Sequence, residues 1–419
     1  MNIIHKILLG AACAAAAAFS LAPSASAQSP YSMKGYGLLS DRVSSAQRAM
    51  GGVGYAQRDS RQINVMNPAS YSAIDTMTFL FDIGADVGAY RSKEGSSHGK
   101  LTLGGLDYIT MQVPIGRRMG ASIGLLPFSD VDYSFGQEIV NGHAAYQGSG
   151  GISEAYIGFS GRPAKGLSLG FNAGYLFGNI FHDNYAIEGT TGAQSLYETV
   201  MKVQSFNVQF GLQYSVDINR TNSLTLGLTY TLGHNLHGTA YGTRYDISNK
   251  ENEPQRIGER HLQRFNTLPY TFGAGLAYCR DRKLTVEADF TYQPWSQAKF
   301  GAIEDFSDAE TFNDRYRGAI GLQYQARQRG AWLRKVAYRI GGYYEQDYQH
   351  LDVRAGDKVR QYGITCGFGL PTPLRTRVNV GFEWRHRYST PATTVTENYY
   401  LFTLGINLSE NWFVPSKIR

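Results

Sequence analysis

The residues that could carry enzymatic chemistry are few and scattered along the chain. Gly158-Phe159-Ser160-Gly161 loosely echoes the turn that exposes a serine nucleophile, but it lies in a strand-like stretch without the helix that should follow. The nine histidines are dispersed, and no pair has metal-ligand spacing beside a carboxylate. No glycine loop of the phosphate-binding type opens a helix. We therefore expect no enzyme activity, no metal site and no cofactor.

Cysteine usage and charge exclude two further classes of function. Cys279 and Cys366 lie far apart, on stretches that we interpret as non-neighbouring strands, so we expect neither a zinc site nor a disulfide. The formal charge of +6 is modest, and the basic residues are scattered along the chain. Without a dense basic block, we expect no nucleic-acid binding.

The start of the chain has the pattern of a secretory signal peptide. A short stretch with one lysine is followed by almost entirely apolar residues 7–21, and Ala25-Ser26-Ala27 places small residues where a signal peptidase reads them. A transmembrane anchor is the alternative, but the apolar run is shorter than the ~20 residues that a spanning helix needs. We predict a signal peptide over 1–27 and a mature chain that begins at Gln28.

The composition suits a barrel in a membrane. The sequence holds 48 Gly, 29 Tyr and 21 Phe in 419 residues, although its mean hydropathy is low. A transmembrane β-barrel accounts for these features together. Its strands alternate between lipid and lumen, its aromatic residues form girdles at the membrane interfaces, and glycine permits bends in a curved sheet.

Strict alternation of apolar and polar residues recurs along the chain and is typical of β-strands. One run sets Phe206, Val208 and Phe210 against Asn207 and Gln209. A soluble β-sandwich also alternates, but many of these runs reach ten residues or more, whereas globular strands average about five or six. The length of the runs favours a membrane barrel with a wet lumen.

The pattern predicts an all-β fold, a transmembrane antiparallel β-barrel of about 14 strands over residues 75–413, followed by a short tail over 414–419. Short polar links alternate with longer ones such as 137–151 and 248–261, as periplasmic turns alternate with outer loops in these barrels. The predicted strands are 76–90, 99–115, 119–136, 152–161, 167–188, 196–217, 223–246, 262–280, 284–298, 312–327, 333–349, 358–370, 376–389 and 394–410.

Residues 28–74 precede the first clear strand and alternate poorly. A barrel of this size leaves a lumen too wide for its own side chains to fill. We therefore predict that this segment is an N-terminal hatch, or plug, inside the lumen.

Two runs in this segment resemble the hatch of the FadL/TodX family. They are the Gly/Ala-rich run at 45–56 and Asn67-Pro68-Ala69-Ser70 before the first strand. Members of that family are outer-membrane transporters of long-chain fatty acids and other hydrophobic compounds, with a fourteen-stranded barrel and the hatch inside it. An ordinary turn is the alternative at Asn67-Pro68, since both residues favour turns. The hatch residues that the resemblance implies are Gly51, Gly52, Asn67, Pro68 and Ala69.

The third predicted strand contains a proline, in Leu126-Pro127-Phe128. Proline cannot donate to the hydrogen-bond ladder, so inside a closed barrel it marks a bulge or a kink. In the family that this chain resembles, the third strand kinks inward and opens the wall sideways. By that resemblance we expect Leu126, Pro127 and Phe128 to form a lateral gate and to line the ligand pocket. A harmless bulge near the rim is the alternative.

The resemblance implies an outer-membrane channel of a Gram-negative bacterium for passive uptake of hydrophobic small molecules, such as long-chain fatty acids, with lateral exit near the strand-3 kink. The expected partners are hydrophobic small molecules, detergent or lipid in the lumen, with outer-membrane lipid and lipopolysaccharide around a monomer. Two alternatives stay open. Barrels of the FadL type also serve as scaffolds in protein secretion, like the shuttle barrels of type IX systems, and a general porin would need an unplugged lumen.

Overall fold

The computed structural model describes residues 29–139, 142–189, 193–248, 254–262, 266–326, 332–350, 356–372, 376–390 and 395–411. The predicted signal peptide over 1–27 and the tail over 414–419 lie outside the described residues.

The described chain forms one antiparallel sheet that closes into a barrel. Strand 14 pairs with strand 1 from Asn411 opposite Thr78 to Val395 opposite Glu94, which seals the sheet. The prediction of a fourteen-stranded antiparallel barrel is confirmed. The fourteen strands are strand 1 (Thr78–Glu94), strand 2 (Ser97–Pro114), strand 3 (Met119–Asp130, continued by Tyr133–Ile139), strand 4 (Gly142–Gly161), strand 5 (Leu167–Glu188), strand 6 (Gln194–Asp217), strand 7 (Asn222–Thr231, His234–Asn235 and Gly238–Asp246), strand 8 (Gln255–His261, Thr267–Leu268 and Thr271–Arg280), strand 9 (Leu284–Gln293), strand 10 (Arg315–Tyr324), strand 11 (Ala337–Gln346), strand 12 (Lys358–Pro371), strand 13 (Arg377–Thr390) and strand 14 (Val395–Asn411).

Short elements complete the described structure. Ahead of strand 1 lie a 3-10 helix (Pro30–Met33), a two-residue strand (Leu38–Leu39), an α-helix (Ser45–Arg48) and a second 3-10 helix (Pro68–Ala73). A 3-10 helix (Trp295–Gln297) and an α-helix (Trp332–Lys335) lie between strands. No helix among the described residues is long and apolar enough to cross a bilayer.

The outward face of the barrel is apolar. Large hydrophobic side chains stand exposed there on most strands, among them Val87, Ile157, Phe206, Ile340 and Phe402. The inward positions of the same strands carry buried polar residues, because successive side chains point to opposite faces. Such a belt fits only the hydrocarbon layer of a membrane, and closed barrels of this kind are outer-membrane proteins of Gram-negative bacteria.

Two predicted outer loops are wrong in their extent. Residues 137–151 were expected to form a loop, but strands 3 and 4 continue to Ile139 and from Gly142. Gln255–His261 likewise belongs to strand 8, although 248–261 was expected to be a loop. Pairing with the long strand 5 holds the glycine-rich part of strand 4 in the sheet, as far as Gly142 opposite Glu188.

The hydrogen-bond ladder between strands 2 and 3 covers only part of the two strands. Strands 2 and 3 pair over only six residue pairs, from Pro114 opposite Gly120 to Ile109 opposite Leu125. Above Leu125, strand 3 stays with strand 4 but leaves strand 2. The outer half of the barrel wall therefore has a side gap between strands 2 and 3.

Candidate functional site

The N-terminal segment, residues 29–77, lies inside the barrel. It hydrogen-bonds to inward-facing side chains on opposite parts of the wall, such as Gln112 on strand 2, Gln213 on strand 6 and Thr365 on strand 12. Only a segment within the lumen can reach all of these strands at once. Most of its residues are buried.

Gly51 and Gly52 form a tight turn that touches the wall. Both have φ of +77°, a conformation that favours glycine. The N–H of Gly51 donates to Thr365 Oγ1 at 2.8 Å, and its carbonyl accepts from Arg317 at 3.1 Å. A Cβ on Gly51 would lie 2.8 Å from the backbone nitrogen of Gly342. The turn therefore needs glycine both for its conformation and for close approach to strand 11.

Two carboxylates on strand 9 hold the loop after this turn. Asp289 accepts the N–H groups of Gly54 at 2.6 Å and Tyr55 at 2.9 Å, and Glu287 accepts the N–H of Ala56 at 2.9 Å. The wall thus recognises the backbone of the loop, which sequence patterns do not reveal.

Asn67 joins the two predicted hatch runs to each other and to the wall. Its side-chain amide donates to the carbonyl of Tyr55 at 2.7 Å and to that of Leu212 on strand 6 at 3.1 Å. Its oxygen accepts from the N–H of Ala69 at 3.1 Å and caps the 3-10 helix that Pro68 begins. Asn67 and Ala69 are fully buried. The motif is therefore a structural joint within the lumen.

Two ion-pair clusters clamp the segment at other points. Asp41 pairs with Arg315 at 3.5 Å and, more closely, with Arg317, and Glu345 pairs with both arginines. Arg48 pairs with Asp107 at 2.6 Å on strand 2. We name the first cluster the arginine clamp.

The arginine clamp fixes the charge state of Asp41. Burial alone would raise the pKa of this carboxyl, but Arg317 and Arg315 outweigh burial and hold the pKa well below its usual range. Asp41 is therefore ionised at every physiological pH and attracts the guanidinium groups of Arg315 and Arg317 electrostatically.

A small cavity lies between the segment and the wall. Its volume is about 110 Å³, and its lining includes Arg42, Tyr55, Phe128 and Arg317. Ligand pockets usually measure roughly 300–1,000 Å³. The cavity therefore has room for solvent but not for a long aliphatic chain.

An aromatic cluster fills the outer mouth of the lumen. We name it the mouth cluster. Trp295 stacks on Tyr348 at 4.2 Å between ring centroids, and Phe312 packs edge-on against Trp295 at 6.0 Å. Tyr36 of the N-terminal segment and Phe300 complete the cluster, with 4.8 Å between their centroids. Trp295, Phe300 and Phe312 belong to the loop between strands 9 and 10, so this loop folds inward and covers the N-terminal segment.

The three predicted gate residues lie at the side gap, but they point to different surroundings. Leu126 is buried in a cluster with Tyr71 and Tyr156, so it contacts the N-terminal segment and not an open pocket. Pro127 lies at a register shift against strand 4. Phe128 lines the 110 Å³ cavity. The carbonyl of Phe128 accepts from Ser40 N at 2.9 Å, and the short strand Leu38–Leu39 pairs with Ser129 and Asp130.

The side chains of the lumen offer no metal centre among the residues that the structure describes. Cys279 on strand 8 and Cys366 on strand 12 are free thiols separated by three strands. What the lumen offers is a polar, hydrogen-bonded interior, an aromatic mouth and a side gap toward the membrane.

Solved structures with a similar fold include a monoaromatic hydrocarbon channel, a toluene transporter and a FadL homologue. The CymD monoaromatic hydrocarbon channel matches with a TM-score of 0.62 at 13% identity, over 88% of this chain and 98% of that chain. A Pseudomonas aeruginosa FadL homologue matches at 0.65 and 12%, over 88% and 99%. The Pseudomonas putida toluene transporter TodX matches at 0.62 and 14%, over 90% and 99%. At this identity they establish the FadL-type fold.

No curated protein matches the sequence. The family model described as BamG matches residues 3–419, which is nearly the whole chain. The expected fold of the FadL/TodX type is therefore confirmed, while the family carries a different name. The chain belongs to the BamG family.

Proposed function

We propose that this protein is an outer-membrane channel through which hydrophobic small molecules leave the lumen sideways into the bilayer. The side gap carries the proposal. Strand 3 leaves strand 2 above the pair Ile109–Leu125, at the level of the apolar outer face. A molecule that exits there passes from protein to hydrocarbon without entering water, and removal of apolar surface from water favours that step by roughly 25 cal/mol per Å².

In this proposal the cargo enters at the outer mouth of the lumen, and its entry requires a conformational change of the protein. Among the described residues, the cavity between the N-terminal segment and the wall measures about 110 Å³. Cargo therefore enters only when the loop between strands 9 and 10 swings away and exposes Tyr36 and Phe128. In this proposal residues 28–74 act as the hatch, and Gly51, Gly52 and Asn67 keep it seated while Leu126 and Phe128 border the exit.

The proposal is tested by measuring fatty-acid uptake in cells whose protein carries a substitution at Pro127, beside the side gap. Valine restores the N–H that a straight ladder needs, so Pro127→Val favours pairing of strands 2 and 3 and narrows the gap. We expect uptake of a labelled long-chain fatty acid to fall several-fold. Pro269→Val is the matched control, because Pro269 lies at strand 8, away from the gap. Equal uptake in the wild type and both variants, at equal amounts in the membrane, would reject the lateral route.

A second candidate is a barrel whose task is to bind other proteins in the membrane. The filled lumen favours it, since the clamps, the buried joint at Asn67 and the mouth cluster leave little free space. An unplugged general porin finds no support in this packing. Purification in mild detergent separates the candidates: stoichiometric hydrophobic small molecules seen by mass spectrometry support the channel, and a stable protein partner without any such molecule supports the binding barrel.

A further inference from the structure

We propose that the outer rim of strands 12, 13, 14, 1 and 2 binds an outer-leaflet lipid whose sugar headgroup carries two phosphates, as lipopolysaccharide does. Five cations define this surface, which we name the basic rim: Lys358 and Arg360 on strand 12, Arg91 and Lys93 on strand 1, and Lys100 on strand 2. The proposal does not depend on any cargo in the lumen.

The cations of strands 1 and 2 face the membrane side of the wall. Arg91 and Lys93 alternate in step with Val87, which is exposed on the lipid face. Lys100 lies directly opposite Arg91 in the ladder and therefore faces the same way. Arg91, Lys93 and Lys100 are all exposed. They form one outward-facing group of positive charge.

The cations of strand 12 form a second group on the same face. Lys358 and Arg360 alternate in step with Ile364, which is exposed on the lipid face. Strand 12 pairs with strand 13, strand 13 with strand 14, and strand 14 with strand 1. The basic rim therefore has two cationic flanks, one on strand 12 and one on strands 1 and 2, with two strands between them.

The basic rim lies at the level of the lipid headgroups. The guanidinium of Arg91 lies over the ring of Tyr400, 5.8 Å from its centroid. Tyr400 lies opposite Trp384 of strand 13, and Trp384 packs edge-on against Tyr362 of strand 12 with 5.7 Å between their centroids. Such rings mark the interface between hydrocarbon and headgroups in membrane barrels. Cations at and beyond this girdle, on the side of the outer loops, meet the phosphates of the outer leaflet.

The chain leaves the positive charge of the basic rim without a counterion. Among the described residues, none of the five cations forms an ion pair. Arg91 and Lys100 lie directly opposite each other, an arrangement of like charges that destabilises a sheet. The Nε of Arg360 is buried and has no hydrogen-bond partner. A phosphate suits both flanks, because it offsets the repulsion and accepts two parallel hydrogen bonds from a guanidinium.

The carboxylates of the barrel lie on other surfaces. Glu94 and Glu397 alternate to the lumen face of strands 1 and 14, where Val395, opposite Glu94, packs in the lumen. On the far side of the barrel, Glu198 of strand 6 lies opposite Asp183 of strand 5. An anionic headgroup is therefore attracted to the basic rim and repelled by the carboxylates of strands 5 and 6.

The centre of the basic rim carries polar, uncharged side chains on strand 14. Asn398 lies opposite Arg91 on one side and His386 on the other, and its Oδ1 is 3.0 Å from His386 Nδ1. Thr396 lies opposite Lys93. Strands 1 and 12 are three strand spacings apart, about 14 Å. One phosphate cannot reach both flanks at once, whereas a sugar headgroup with a phosphate at each end does so and places its hydroxyl groups over strand 14.

The wall below the basic rim suits the acyl chains of the same lipid. Val87, Ile364 and Phe402 are exposed there on strands 1, 12 and 14. The side gap opens at the other edge of strand 2, toward strand 3. A lipid bound at the basic rim therefore leaves the proposed exit route open.

Binding of bisphosphorylated lipid A to the purified full-length protein in mild detergent tests the proposal. Arg91→Gln and Arg360→Gln each remove one charge, one from each flank. Lys202→Gln is the matched control, because Lys202 is exposed on strand 6 and makes the same type of cation–π contact, 5.6 Å from the ring centroid of Tyr241. We expect each arginine variant to raise the Kd roughly fivefold and Lys202→Gln to leave it unchanged.

Probes with fewer phosphates separate a site with two flanks from simple charge attraction. Monophosphorylated lipid A reaches one flank only, so we expect its Kd to be roughly fivefold higher and one of the two arginine variants to lose its effect. Phosphatidylglycerol should bind no better than this probe, and inorganic phosphate should not displace lipid A. Arg91→Lys keeps the charge and should bind like the wild type, which separates loss of charge from misfolding.

Three results would overturn the proposal. Equal affinity for the two forms of lipid A would show that the flanks do not act together. An equal loss of binding in Lys202→Gln and Arg91→Gln would show that any cation at the outer rim serves. Displacement of lipid A by inorganic phosphate would show a general phosphate site and reject the lipid headgroup as its specific ligand.

Discussion

At the scale of single residues, charge and backbone geometry seat the N-terminal segment. The glycine turn and the Asn67 joint could be recognised from sequence, because both residue types serve local backbone conformations. The arginine clamp could not, since Asp41 and Arg317 are 276 positions apart and only barrel closure brings them together. The same holds for Asp289, whose role as an acceptor for loop N–H groups follows from the position of strand 9.

Removing the carboxylate of Asp41 should loosen the segment. Asp41→Asn leaves Arg315 and Arg317 with Glu345 as the remaining carboxylate of the arginine clamp. Breaking a buried ion pair typically costs about 3 kcal/mol or more, and we expect a loss of about 3 kcal/mol in the free energy that seats the segment. Hydrogen exchange of its amides at neutral pH measures this. The control is Asp75→Asn, because Asp75 is exposed, and equal exchange in the two variants would contradict the clamp.

The pH dependence of this effect has a defined sign. The arginines lower the pKa of Asp41 in the folded state, so the stabilisation is complete above the unfolded pKa of about 3.9 and is lost as the pH falls toward the folded value. We expect the difference in exchange between wild type and Asp41→Asn to stay constant from about pH 5 to about pH 8. Hydrogen exchange corrected for its intrinsic pH dependence checks this, and a difference that already shrinks at pH 6 would contradict the assignment.

At the scale of elements, alternation predicted the strands well but misplaced some ends. The glycines of strand 4 look like loop residues, yet Gly148 pairs with His182 of strand 5 and lies under the ring of Tyr133, which leaves no room for a Cβ. The alternation of apolar and polar residues also could not predict that the loop between strands 9 and 10 folds inward. The aromatic residues of this loop are visible in the sequence, but the sequence does not show that they pack together around Tyr348.

The loop between strands 9 and 10 should open when its main aromatic contact is lost. Trp295 is 1% exposed and stacks on Tyr348. Truncation of a buried tryptophan costs about 3–5 kcal/mol, and we expect Trp295→Ala to expose residues 296–312 while the barrel stays folded. Limited proteolysis of reconstituted protein reads this out as new cleavage within the loop. Trp332→Ala is the control, because that side chain is 54% exposed at the other end. Cleavage equal to that of the wild type would contradict the role of Trp295 in holding this loop against the lumen.

At the scale of the whole molecule, closure of the sheet and occupation of its lumen are linked. A fourteen-stranded wall encloses more space than its own side chains fill, and the N-terminal segment with the mouth cluster occupies that space. The strand number and the lipid face followed from sequence because each depends on local alternation. The interrupted ladder between strands 2 and 3 did not, since Pro127 alone does not tell a bulge from a gap.

Ion conductance of the purified wild-type protein in planar bilayers tests the sealed lumen most directly. The seated segment and the mouth cluster predict no steady open-channel current at moderate voltage, while opening of the clamp by Asp41→Asn should give intermittent openings. A steady, ohmic current through the unmodified protein would contradict the filled lumen.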